Sequence, residues 1–410
     1  MPPEQVEAPV SPSRAVLRNR GVLGIGGASF LADLGHEIPT ALLPSLLTST
    51  LGAPAAALGL IEGLADGAAG LARFGGGALA DDPQRRRDVA VGGYASTALL
   101  SGLIGLAVAV WQVAVLRIAA WAARGARVPA RNALLADMVP APAYGRAYGF
   151  ERAMDNLGAI GGPLLAIGLV ALVGVRVAIV LSIIPGLLAA WAIIYAVRRA
   201  PALRARARQP LRFVVRPVLH GRLGRLLVGI GAFELGNAAT TLLILRATQL
   251  LTPGRSHARA TELALVLYVG YNLAATVASV PAGRVGDAVG NAPVLIVGIA
   301  CFGLAYIGFA RGAVWVLVAA FALAGIGIGC VETAEHAAVA SFAPAAIRGS
   351  AFGVLATVQS FGNFAASAVA GWLWTAISAR AAFLYLAAWM LVSVIGLLGD
   401  RLTARRGEGR

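Results

Sequence analysis

Apolar stretches of roughly twenty residues follow one another along the chain, each ended by a short polar or Gly/Pro-rich break. Runs of that length match the thickness of a bilayer, so the pattern predicts helices that cross one rather than the layers of a soluble core. Twelve spans are expected, at about residues 22–48, 55–80, 89–110, 112–137, 146–171, 175–197, 223–248, 260–283, 292–310, 314–340, 347–373 and 379–399. The longest polar interruption, Arg198 to Arg222, divides them into six and six. The expected architecture is therefore an all-α membrane protein of two six-helix bundles, 22–197 and 223–399. A tail over 1–21, a basic linker over 198–222 and a tail over 400–410 complete the chain.

Composition sharpens this picture. With 58% hydrophobic and 13% charged residues, the chain lies outside the range of soluble domains. Residues 1–20 are polar and hold no apolar core before a cleavage site, so the first run is read as a retained span rather than a signal peptide. Cys301 and Cys330 fall within apolar runs and are expected as buried thiols. A net charge of +15 would suggest nucleic acid in a soluble protein. Here most of it sits in short loops and tails, where membrane orientation explains it and no nucleic-acid partner is needed. Arg14, Arg18, Arg20, Arg85, Arg86, Arg87, the linker, Arg348 and the C-terminal arginines fall on one side. Arg176, Arg255, Arg259, Arg311 and Arg380 are left on the other. Both termini are expected in the cytoplasm, on the inner side of a cell membrane.

Charge within the spans points to function. Arg117, Arg124 and Arg131 recur at steps of seven and share a helix face, with Arg127 one turn from the last two. Each arginine at the centre of a spanning helix costs roughly 2.5–3.5 kcal/mol on insertion scales, so the stripe must face water, protein charges or the membrane surface. Acids of the required sign stand at i,i+4 spacing: Asp33 and Glu37 beside His36, Glu62 and Asp66 with Arg73 further along, and Glu151 and Asp155 beside Arg152. The second half offers Glu234 and Asn237, then Glu332, Glu335 and His336. The chain contains no lysine. Arginine stays protonated, so proton exchange falls to carboxylates and histidines. Burial disfavours an ionised carboxylate and a nearby arginine favours it, and the opposition can place protonation near working pH.

The halves also repeat. Gly77-Ala-Leu-Ala-Asp81 reappears as Gly283-Arg-Val-Gly-Asp287, Gly145-Arg-Ala-Tyr-Gly149 as Gly349-Ser-Ala-Phe-Gly353, and Asp33-Leu-Gly-His36 as Glu234-Leu-Gly-Asn237. Gly158 answers to Gly362 in the same register. Such repeats at corresponding span ends are a transporter signature.

Three motifs carry a resemblance. Gly77-Ala-Leu-Ala-Asp81-Asp-Pro-Gln-Arg85-Arg86-Arg87 resembles the G-x-L-a-D-r-x-G-r-r loop of the major facilitator superfamily, departing from it at Asp82 and Gln84. Gly149, Gly158, Gly162 and Pro163 resemble the G-x8-G-x3-G-P motif of that superfamily's proton-coupled exporters, with Ala166 and Ile167 where paired glycines normally follow. Arg117, Arg124, Gly125, Arg127 and Arg131-Asn-Ala-Leu-x-Ala-Asp137 are similar to a bacterial subgroup, with Ala120 and Trp121 where polar residues are expected. The superfamily resemblance covers essentially the whole chain, and the subgroup's covers mainly residues 30–165.

The resemblance implies a secondary transporter with a mid-membrane cavity, acting as a monomer on a small molecule and protons, and exporting its substrate. Asp33, Glu37 and Asp66 are the expected proton carriers. His36, Arg117, Arg124, Glu234, Asn237 and Glu332 are expected in the cavity. Asp81, Arg85, Arg86, Arg127, Arg131, Asp287, Glu335 and His336 are expected as cytoplasmic gates, and Gly149, Gly158, Gly162 and Pro163 as a helix-packing motif. Uptake or facilitated diffusion of an anion is the alternative within transport, and a membrane sensor or lipid-handling scaffold the alternative outside it. His36-Glu37 and Glu332-x-x-Glu335-His336 would suit a divalent transition metal only if they converged, and no metal or other cofactor is assigned. No nucleophile, phosphate-loop or zinc-protease pattern stands in a fitting context, so an enzyme is not expected.

Overall fold

The computed structural model describes residues 16, 18–199 and 214–408, so residues 1–15 of the predicted N-terminal tail, 200–213 of the linker and 409–410 lie outside it. Thirteen α-helices are present among the described residues: α1 (Arg20–Ser45), α2 (Ala55–Ala80), α3 (Pro83–Leu103), α4 (Val110–Met138), α5 (Tyr144–Leu181), α6 (Ile183–Arg199), α7 (Gly221–Glu234), α8 (Thr240–Leu251), α9 (His257–Val289), α10 (Asn291–Arg311), α11 (Leu317–Phe342), α12 (Arg348–Ala376) and α13 (Ala379–Glu408). No strand occurs among the described residues.

Local chemistry sets the ends. The Asn19 side chain accepts from the backbone N–H groups of Gly21 (2.9 Å) and Val22 (3.3 Å) and caps α1. Asp82 caps α3 by accepting from Gln84 (2.9 Å) and Arg85 (3.4 Å), with Pro83 following at a position where no donor is needed. The acid that departs from the loop pattern thus has a structural use. Gly174 takes φ +79°, which only glycine adopts cheaply, and there the fifth span turns into the sixth.

The structure differs from the sequence reading in the seventh span. A single helix over 223–248 is expected, whereas α7 stops at Glu234 and α8 starts at Thr240. Backbone groups freed in a bilayer must find partners. Two side chains of α12 supply them: Asn363 donates to the Asn237 carbonyl (2.7 Å), and Ser367 Oγ accepts from the Ala239 N–H (2.8 Å).

Seven described segments are long and apolar enough to cross a membrane by length and composition, and one of them, Ala141–Arg199, holds two spans. The helices outside this set are α1, α2, α4 and the broken α7–α8 pair. These carry Asp33, Glu37, Glu62, Asp66, Arg73, Glu234 and the arginine stripe, so they need neighbours that shield charge from lipid. Helix α1 accordingly packs against α5 and α6, and α2 against α4. In the other half α11 packs between α9 and α10.

The halves meet along α2 with α12 and α5 with α9. Close approach is confined to one end. A Cβ on Gly77 would lie 2.7 Å from the Gly353 Cα, and one on Gly349 2.5 Å from the Ala80 carbonyl carbon. Gly145 and Gly283 pack backbone to backbone in the equivalent crossing. Farther along α2, Gly63 and Gly67 have nothing within 4 Å of a would-be Cβ and face open space between the halves.

Candidate functional site

That space is a cavity of about 720 Å³ lined from both halves. The end where the glycines meet is latched by two carboxylates in pseudo-symmetric positions. Asp81, just past α2, accepts from the Ser350 N–H (2.8 Å) and from the Ser350 hydroxyl at the start of α12. Asp287 accepts from the Gly145 N–H (2.6 Å), the Arg146 N–H (3.1 Å) and the Arg146 guanidinium (2.8 Å) at the start of α5. Each carboxylate therefore sits on a helix N-terminus of the opposite half, where the free N–H groups and the helix dipole favour an anion. Burial pushes the Asp81 carboxyl above its ordinary value, against the hydrogen bonds from Ser350. Asp137 adds a third link, held by Arg86 and, at 3.2 Å, by Arg348 of the other half. Arg85 lies outside this latch, and its closest carboxylate is Asp82 at 3.9 Å.

Above the latch, α1, α2 and α4 bring the predicted charges together. Arg124 Nη2 lies 3.3 Å from Asp33 Oδ1, and Asp33 lies 3.2 Å from His36 Nδ1. His36 Nε2 lies 3.1 Å from Glu37, so a chain of ionisable groups leads from the cavity wall into α1. Neither His36, expected in the cavity, nor Glu37 is among the lining residues, and His36 borders instead a small void with Tyr94, Thr97 and Gly186. Asp66 lines the cavity, forms no ion pair among the described residues and accepts from the Trp121 indole N–H at 3.1 Å. The aromatic residue that breaks the expected polar pattern thus acts as a donor.

Arg117 lies elsewhere. Its guanidinium bonds Glu62 (3.0 Å) and Thr40 (3.2 Å) and stacks 3.2 Å from the Trp121 ring centre, and it does not line the cavity. This is a structural pair between α4, α2 and α1, with the cation-π contact shielding the guanidinium. Arg131 is placed deeper than a surface gate, on Glu151 (2.8 Å), Asp155 (3.4 Å) and the Ser29 hydroxyl (3.1 Å). Arg152 joins the same cluster through Glu151 (2.8 Å) and Asp155 (3.1 Å), and comes within 3.7 Å of Glu332 in the second half. Arg127 lies against the Tyr94 ring (3.8 Å) and lines the cavity.

In the second half, Glu234 ends α7 and accepts from Asn237 (3.0 Å), and both line the cavity. His336 lies at the cavity floor, with its ring near those of Tyr148 (5.8 Å) and Phe352 (6.0 Å). Glu335 beside it accepts from Gln359 across to α12. Among the described residues no three His, Cys, Asp or Glu side chains form a group that could hold a metal ion. The glycine motif has two uses. Gly149 packs on Ser279 of the other half, whereas Gly158 and Gly162 pack on α1 at Asp33 and Glu37.

Several lining groups escaped the sequence reading: Gln359, Ser360, Asn363 and Ser367 of α12. Their spacing of i, i+1, i+4 and i+8 places four polar residues on one helix face of an apolar span, and that pattern was the available signal.

Paired helical bundles joined at one end around a charged cavity are the architecture of a membrane transporter. A model of the Major Facilitator Superfamily matches residues 25–253 and 254–409, and the chain belongs to that family of non-enzymatic transporters. An uncharacterised transporter of this type from Methanocaldococcus jannaschii is 27% identical over 384 residues, covering 93% of this chain and 94% of that protein. Two solved structures share the fold. The human organic anion transporter MFSD10 has a TM-score of 0.71 at 16% identity, covering 94% of this chain and 99% of its own. A bacterial homologue of the iron transporter ferroportin, in an outward-facing state, has a TM-score of 0.73 at 14% identity, covering 92% and 98%.

Proposed function

We propose that this transporter exports a small organic molecule in exchange for protons, working as a monomer by alternating access in a bacterial cell membrane. The latched end carries Arg18, Arg20, Arg85, Arg86 and Arg87, and the positive-inside bias makes it the cytoplasmic end. Both termini then lie in the cytoplasm, and the cavity faces outward in this conformation. The observation that carries proton coupling is the Arg124–Asp33–His36–Glu37 chain, which starts at the cavity wall and runs into α1. Protonating Asp33 would free Arg124, and deprotonating it would recapture the arginine, so substrate and proton can compete for one cation. Asp66, held among the described residues by the neutral Trp121 donor, offers a second carrier. In proteoliposomes, Asp33→Asn and Asp66→Asn are expected to uncouple substrate movement from proton flux. Normal coupled transport by both variants would remove the proposal.

Arg73 and Arg127 favour a second reading. Both line the cavity and form no ion pair with a carboxylate among the described residues, as an anion uniporter would require. Counterflow with no pH dependence would support it over proton coupling.

A further inference from the structure

The charges that line the cavity are divided between the halves. The N-terminal half contributes Arg73, Arg124, Arg127, Arg131 and Arg152 with three aspartates, whereas the C-terminal half contributes Glu234 and Glu332 and no arginine. Arg124 and Arg131 are engaged by carboxylates of their own half, and Arg152 by Glu151 and Asp155 of its own half and, at 3.7 Å, by Glu332 of the other. Arg127 is only 3% exposed, and its Nε and Nη1 have no hydrogen-bond partner among the described residues. Arg73 reaches neutral acceptors of α12, the Ser360 hydroxyl and the Ala356 carbonyl, and its Nε has no hydrogen-bond partner among the described residues. On the opposite wall Glu234 is also 3% exposed and is met, among the described residues, by the Asn237 amide and no cation within ion-pair distance. Among the described residues the charges without an ion pair are thus two arginines against one aspartate, Asp66, on the N-terminal wall, and Glu234 on the other, so the surplus is positive on one side and negative on the other. Trp121, Ile328, Phe361 and Phe364 supply apolar wall.

A buried charge without a counter-charge is costly, and a ligand that brings the missing partner binds by removing that cost. A simple anion would satisfy Arg73 and Arg127 and face Glu234, and a simple cation would do the reverse. A molecule with both charges satisfies both walls. We infer that the cavity takes a small zwitterion, its anionic group on the Arg73/Arg127 side and its ammonium on the Glu234/Glu332 side, with an apolar body between. This rests on reading the cavity as the transport site and adds the class of substrate. It also gives a reason for closure, because one ligand joins the two halves electrostatically.

Full-length purified protein is titrated with ω-amino carboxylates of four to twelve carbons, and with the n-alkanoate and n-alkylamine of each length. Binding is followed by thermal shift and saturation-transfer NMR. The best zwitterion is expected to bind at least tenfold more tightly than either single-charge partner, with an optimum chain length that reports the distance between the walls. Arg127→Gln and Glu234→Gln each lower zwitterion affinity about tenfold, and Glu234→Gln leaves alkanoate binding unchanged or stronger. Arg73→Gln replaces Arg127→Gln if the latter does not fold. An alkanoate or alkylamine that binds as tightly as the zwitterion overturns the inference, and so does absence of binding by every member in protein that still alternates. Zwitterion binding in protein that never alternates would leave the inference standing and remove the transport reading instead.

Discussion

Gly158 packs directly on Asp33: a Cβ there would lie 2.9 Å from the aspartate's own Cβ. Gly362 repeats the relationship in the other half, where a Cβ would lie 2.5 Å from that of Glu234. In each half a glycine of one helix holds in place an acid of another. Replacing either by valine forces α1 from α5 or α7 from α12, at about 1–3 kcal/mol of overpacking. Gly158→Val and Gly362→Val are expected to lower the thermal midpoint and to cut transport at least tenfold in reconstituted vesicles. Gly168→Val, at a position with nothing within 4 Å, is expected to do neither.

Trp121 and Asp66 form a second coupled pair. Trp121→Phe retains a ring for Arg117 and removes the one hydrogen bond to Asp66 among the described residues, a loss of roughly 1.5–3 kcal/mol for a charged acceptor. Transport is expected to fall about tenfold, measured as initial rate. The double variant Trp121→Phe/Asp66→Asn is expected to be no worse than the weaker single, because both remove one interaction. Additive losses would show that the two residues act separately.

The latch makes a pH prediction. Burial raises the Asp81 carboxyl in the latched form, so that form holds a proton more tightly than an opened one in which Asp81 meets water. Lowering pH through the acid range favours the latched state, and this preference fades as pH rises through the raised value. Asp81→Ala removes the contacts to Ser350 and is expected to open the latched end at neutral pH and abolish that dependence. Spin labels on exposed positions flanking α2 and α12 would report it as a longer distance.

Asp137 is the hub of the remaining latch, and Asp137→Asn strands Arg86 and Arg348 together. Breaking a buried pair by removing one partner costs about 3–5 kcal/mol, so this variant is expected to be less stable than Arg348→Gln. Thermal unfolding of the two variants checks the order.

Much of this was legible in the chain. The loop carboxylate Asp81 and its echo Asp287, the repeated glycines and the acids of α1 all announce themselves by spacing, because backbone contacts tolerate few residue types. Other features depend on which helix stands opposite. Arg117 shares a face with Arg124, yet it ends on Glu62 and Thr40 because azimuth does not specify depth or neighbour. Trp121 reads as an apolar interruption until Asp66 is seen at its N–H. The break at Leu235–Ala239 carries no proline and is held open by Asn363 and Ser367, residues more than a hundred positions away. Tertiary partners, not local propensity, decide such positions.

Under the proposed function the two halves rock about this cavity. The most direct test of that motion places a single cysteine at Gly67, with Cys301 and Cys330 replaced, and asks from which side of a sealed vesicle a membrane-impermeant thiol reagent reaches it. Gly67 lines the cavity and has nothing within 4 Å of a would-be Cβ, so a thiol fits there. The account predicts labelling from the face opposite the termini in the latched protein, and labelling from the terminal face once Asp81→Ala opens the latch. Labelling from one face in both proteins would contradict it.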